Sequence, residues 1–172
     1  MVQSKVYKTP QSGQPLISTI STSCRTPTLE VKFCNLVNPY RYANSPTIPR
    51  YSVTCVIDPK LHEDFLNAIQ CIEKSEEVDT IIKNETEKEG DKHLTTGKLL
   101  IKFQSKDVVP VFCGGEYAKG ETPKIELEDE LQKGEKIVVV YDILRYTKKN
   151  TMKTEHGISF KPICIYLCKK DS

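Results

Sequence analysis

A chain of 172 residues, 38% hydrophobic and 28% charged, can build one domain around its own core, and no apolar run in it is long enough to span a bilayer. Its formal net charge of +2 hides a segregation. Residues 136–172 carry eight cations against three acids, and residues 63–91 carry ten acids against three lysines. A basic half of this kind attracts a polyanion even when the whole chain is nearly balanced.

Seven scattered cysteines with no C-x-x-C pair argue for free thiols packed as small hydrophobes rather than a disulfide framework. The opening stretch MVQSKVYKTPQSGQP has no apolar segment after its lysines. It does not read as a secretory signal, so the expected location is the cytoplasm, with no membrane partner.

Residues 1–27, rich in Ser, Thr, Pro and Gln, read as an extended N-terminal arm, and 28–172 as a single domain. TLEVKFCNLVNPY (28–40) alternates as a strand, with Leu29, Val31 and Phe33 on the buried face and Glu30 and Lys32 facing out. NPYRYANSPTIP (38–49) is a loop, and RYSVTCVID (50–58) a second strand. Asp58 as cap, Pro59 at the first helical position, and Leu61, Phe65, Ile69 and Ile72 at helical spacing predict a helix over about 60–75. The same period extends towards Val78 and Ile81.

KNETEKEGDKH reads as a charged mobile loop, and GKLLIKFQS (97–105) as a third strand. VVPVFCGGEYAKGETP starts strand-like and is then broken by Gly and Pro. EKIVVVYDILRY (135–146) is a long strand, and KKNTMKTEHG is a polar hairpin loop. ISFKPICIYLC (158–168) returns antiparallel to the long strand. No G-x-G-x-x-G follows a strand. The order favours a mainly β, small closed antiparallel barrel with one inserted helix.

Three stretches in this order carry a family resemblance: PRYSVTCVIDP (49–59), IKFQSKDVVPVFCGG (101–115) and the terminal pair GEKIVVVYDILRYTKKN…HGISFKPICIYL. Over roughly 28–168 the chain resembles the single-stranded-DNA-binding proteins of bacteriophages, the T7-like helix-destabilising group and its distant relatives. The resemblance implies an OB-fold barrel, a viral protein that coats single strands during DNA replication, recombination or repair, and no enzymatic activity, cofactor or metal. It also implies a homodimer and contact with replication enzymes such as polymerase or helicase. Many relatives end in an acidic tail. This chain ends YLCKKDS, so recruitment through such a tail is not expected.

A binder of single strands without sequence preference needs cations for phosphates and rings for bases. Cations and rings interleave at Tyr40, Arg41 and Tyr42, and again at Arg50 beside Tyr51. They do so a third time at Arg145, Tyr146, Lys148, Lys149 and Lys153, with Phe160 and Lys161 across the last hairpin. Lys32, Lys102 and Lys106 lie on or beside strands and are expected to face out. The acids Glu63, Asp64, Glu73, Glu76 and Glu77 of the helix are expected to lie away from the groove. Glu128, Asp129 and Glu130 read as solvated turn acids.

A thiol nucleophile at Cys113 with His156 as base has no activating context, and Cys164, Cys168 and His156 do not make a metal site by spacing. Rival readings are a viral protein-interaction or assembly module and a single-stranded RNA binder.

Overall fold

The computed structural model describes residues 5–6, 16–40, 49–78, 80–114, 124–149 and 154–168. Among these residues the order is β1 (Lys5–Val6), β2 (Leu16–Arg25), β3 (Leu29–Tyr40), β4 (Arg50–Ile57), α1 (Glu63–Ser75), β5 (Lys83–Glu89), β6 (Lys92–Ser105), β7 (Val111–Cys113), β8 (Lys124–Ile125), β9 (Lys136–Lys149) and β10 (Thr154–Leu167). The strands run β5-β6-β4-β3-β9-β10-β7-β8 in one sheet, with β2 also on β9 and β1 on β2. All pairs are antiparallel except β10 with β7.

The mainly β expectation with one helix holds, but the sheet is not closed. β6 and β10 approach each other without pairing, which leaves a seam where a closed barrel would have a ladder. Residues 16–25, expected in an arm, form a strand of the sheet on β9.

Period-two alternation builds the core. Val53, Cys55 and Ile57 of β4, Ile101 and Phe103 of β6, and Ile137, Val139, Tyr141 and Ile143 of β9 are all buried. The rings of Phe103, Tyr141 and Phe160 meet at 5.1–6.0 Å between centroids. Two bulges change which residues face inward. In β3 the register slips between Val31 and Phe33, so Leu29 and Val31 point in before it and Leu36 after it. In β10 it slips between Pro162 and Cys164, so Ile158 and Phe160 point in before it and Ile165 after it.

The helix starts later than its capping signals suggest. The Asp58 carbonyl accepts the Leu61 and His62 N–H groups, so residues 58–62 form a turn ahead of Glu63. It does not continue through Val78 and Ile81, because Glu77 turns into the left-handed region at φ 56°. Buried Glu73 accepts the Ile81 N–H at 2.5 Å and ties the chain leaving the helix back to it. The charged stretch after it is the β5–β6 hairpin, not a loop. It turns at Gly90, whose φ of 61° costs a glycine little.

Glu130 is not a solvated turn acid. Its carboxylate accepts the N–H groups of Leu36, Val37 and Asn38 at 2.5, 2.8 and 2.7 Å, and so holds the far half of β3.

Candidate nucleic-acid interface

The seam between β6 and β10 shapes the surface. One depression of about 300 Å³ is lined by Arg50, Gln104, Lys106, Asp107, Asp142, Leu144, Ser159 and Lys161 among others. A second, of about 340 Å³, is lined by Phe33, Thr54, Ile81, Lys83, Lys102, Gln104 and Ser159 among others. Gln104 of β6 and Ser159 of β10 line both, one from each side of the seam. The two depressions are therefore one groove.

Five cations line this groove, Lys83 and Lys102 in one half and Arg50, Lys106 and Lys161 in the other, against two acids. Both acids have partners. Asp107 lies 3.5 Å from Lys161 Nζ, and Asp142 Oδ1 accepts the Ser23 N–H at 2.8 Å. The groove thus keeps a positive balance, and Arg50, Lys102 and Lys106 are exposed in it.

The exposed ring in the groove is Phe33, at 60%, whereas Phe160, which also lines it, is buried. The sequence places Phe33 in the core. The bulge reverses that assignment: the register slip sets Phe33 opposite Thr54, on the outward face of β4. The slip also turns Lys32 from an expected outward lysine into half of a buried pair. Lys32 Nζ is 3.2 Å from Glu85 Oε2, and the two side chains are 9% and 7% exposed. Thr96 Oγ1 donates to the other Glu85 oxygen at 2.8 Å. Burial pushes the Glu85 carboxyl up, but the hydrogen bonds from Thr96 and Lys32 and the charges of Lys32 and Lys133 outweigh it and hold it below the usual value.

The cluster expected at the end of β9 is divided by strand alternation. Asp142 and Leu144 line the groove, and Tyr146 continues the same face about 7 Å beyond Leu144. Its ring, 36% exposed, lies on Gly157 of β10, its pairing partner. A Cβ at that glycine would fall within the ring. Arg145 points to the other face. Its Nε and Nη2 donate to the two carboxylate oxygens of Glu76 at 2.6 and 2.7 Å. The hydrogen bond from Arg145 to Glu76 raises the guanidinium further above its already high value. The helix acids were expected to lie away from the groove, and none of them lines it. Glu76 occupies Arg145 on the opposite face of β9, so the correction falls on Arg145, which is not free for phosphate.

Phe160 is a second correction. It is 3% exposed and packed on Phe103 and Tyr141, so no base can stack on it. Arg41, Tyr42 and Lys153 lie outside the described residues, as do the side chains of Tyr40, Lys148 and Lys149. Lys83 and Phe33 are the cation and the exposed ring of the groove that the sequence did not mark. The apolar positions change parity between Val31 and Leu36, which marks a bulge, but nothing local says which residue is the extra one.

Cys113 and His156 cannot form a nucleophile pair. Cys113 pairs with Leu167, eleven residues along β10 from His156, a separation of about 36 Å. His156 Nδ1 instead lies 3.3 Å from Thr147 Oγ1. No three His, Cys, Asp or Glu side chains among the described residues converge on a common metal position. Burial pushes the Cys34 thiol up to about 11 and the fully enclosed Cys55 higher still, so neither is a ready nucleophile.

No family model matches the chain. No curated protein matches it in sequence. Solved structures do. A C-terminally truncated single-stranded DNA-binding protein from bacteriophage Enc34 matches with a TM-score of 0.57 at 14% identity, over 100% of this chain and 99% of that one. The Enc34 protein in complex with ssDNA matches with a TM-score of 0.59 at 15% identity, over 98% and 97%. A single-stranded DNA-binding protein encoded by bacteriophage T7 matches with a TM-score of 0.49 at 16% identity, over 88% of each chain. The likeness to the two Enc34 structures, at full length and low identity, establishes a shared fold.

Proposed function

We propose that this protein binds single-stranded DNA along the β6–β10 seam, with little sequence preference, and coats it during phage DNA replication, recombination or repair. One observation carries the reading: an exposed ring, Phe33, lies beside lysines in a groove that continues past Arg50 and Lys106 towards Tyr146. A polyanion with flat, unpaired bases needs this combination. Each stacked ring contributes about 1–3 kcal/mol, and each neutralised phosphate adds a salt-sensitive increment. The shared fold with a phage protein seen in complex with ssDNA supports the same reading.

No reaction is assigned to the groove. Its function is to hold the strand, and replication enzymes or a second copy of the chain are proposed as further partners.

The test is fluorescence anisotropy of labelled poly-dT, poly-rU and duplex DNA at low and high salt. Tight, salt-sensitive binding of poly-dT with weak duplex binding is expected. Absence of poly-dT binding at low salt refutes the proposal, and stronger binding of poly-rU moves it to RNA.

A further inference from the structure

We propose that the binding track does not end at the groove but continues to a third nucleotide subsite built by Lys98, Lys136, His62 and Leu61. The inference rests on the single-strand reading and extends it by naming where the strand goes next.

The outward residues of β6 carry the continuity. Ile101, Phe103 and Ser105 are buried, so Lys98, Leu100, Lys102, Gln104 and the following Lys106 share the other face. Lysines recur every four residues along it. From Lys106 to Lys98 the strand rises about 26 Å. Leu100 lines the second depression, and its pairing partner Val56 lines a third, of about 230 Å³. Opposite residues of an antiparallel pair share a face, so the third depression is the next station of the same track.

Like the groove it joins lysines to a ring, although here two lysines face two acids. Lys98 and Lys136 are exposed cations from β6 and β9 that meet at this depression. His62 supplies a flat ring that can stack on a base. The Asp58 N–H donates to His62 Nδ1 at 3.0 Å, which holds the ring in one orientation and places the imidazole proton of the neutral form on Nε2. Leu61 is 78% exposed, an apolar surface beside the ring. The acids Glu30 and Asp58 also line the depression. Asp58 Oδ1 already accepts the Lys60 N–H at 2.9 Å, and the two carboxylates restrict phosphates to the lysine side.

The test uses the full chain and two oligo-dT lengths, about 4 and about 16 nucleotides, which bracket the sites of such folds. In the Lys98→Ala/Lys136→Ala variant, affinity for the long strand falls about tenfold. Its log–log salt slope flattens by about 1.4, the value for two lost single-strand phosphate contacts. The short strand, held in the groove, binds within twofold of the unmodified protein. Phe33→Ala weakens both lengths. His62→Ala with Leu61→Ala lowers only long-strand affinity and leaves the salt slope unchanged.

Thermal melts show whether each variant is folded. Unchanged long-strand binding by the lysine variant overturns the subsite, as does equal loss at both lengths. If the unmodified protein binds neither length at low salt, the single-strand reading itself fails and this inference with it.

Discussion

Replacing Lys32 by methionine removes one half of a pair whose side chains are 9% and 7% exposed. The Glu85 carboxylate then keeps the Thr96 hydroxyl as its hydrogen-bond partner and only the more distant charge of Lys133 to offset its own. A buried ion pair broken from one side typically costs about 3–5 kcal/mol, because the remaining charge stays desolvated. For a chain of this length each kcal/mol lowers the melting midpoint by roughly 2–4 °C, so a fall of about 6–20 °C is expected.

Urea unfolding followed by circular dichroism measures the loss. Lys32→Met with Glu85→Leu, which replaces both charges by apolar groups, should recover most of it. A coupling of about 2 kcal/mol or more in the double-mutant cycle is expected.

The pH dependence has a definite sign. The Glu85 carboxyl is held low in the folded protein, so its contribution to stability is complete above the unfolded carboxylate range near 4. It is lost as pH falls through the lower folded value. In Lys32→Met one lowering partner is gone while Thr96 and Lys133 remain, so the carboxyl protonates earlier on acidification than in the parent and the gap between variant and parent narrows below about pH 4. A loss under about 1 kcal/mol that does not vary with pH would refute the buried-pair reasoning. So would weakened DNA binding at full stability, which would return Lys32 to the role of a phosphate contact.

Phe33→Ala should leave stability within about 0.5 kcal/mol, since the ring is mostly exposed, and weaken poly-dT binding about 5- to 150-fold, the range for one lost stack. Arg145→Ala should lower the melting midpoint by loosening the helix from β9 while DNA affinity holds, and Tyr146→Ala should do the reverse. Equal effects from the two would mean that they act as one cluster. Gly157→Ala should reproduce the binding loss of Tyr146→Ala, because the new methyl displaces the ring. In thiol titration with an aromatic disulfide, exposed Cys71 should react at once, whereas Cys55 should react only on unfolding.

Much of this protein is legible without its structure, for a local reason. Period-two runs such as Val53-Thr54-Cys55 state which face is buried, the apolar run from Ile137 to Tyr141 marks a central strand, and the shift to helical spacing at Phe65, Ile69 and Ile72 marks the helix. The strand–strand–helix–strand order and the final hairpin follow from these runs. What only the tertiary structure decided lies at the bulges and between distant segments. A one-residue slip in β3 exchanged Lys32 and Phe33, sending the lysine to Glu85 and the ring into the groove. Alternation divided Arg145 from Tyr146, and Glu76, distant in sequence, took the arginine. Side-chain direction flips with every residue of a strand, so one inserted residue reverses a whole face. Where the insertion falls is set by the pairing of β3 with β4, and the partners that fix the chain around it, such as Glu130 on three amides of the far half of β3, come from distant segments, none of which is written locally in the sequence.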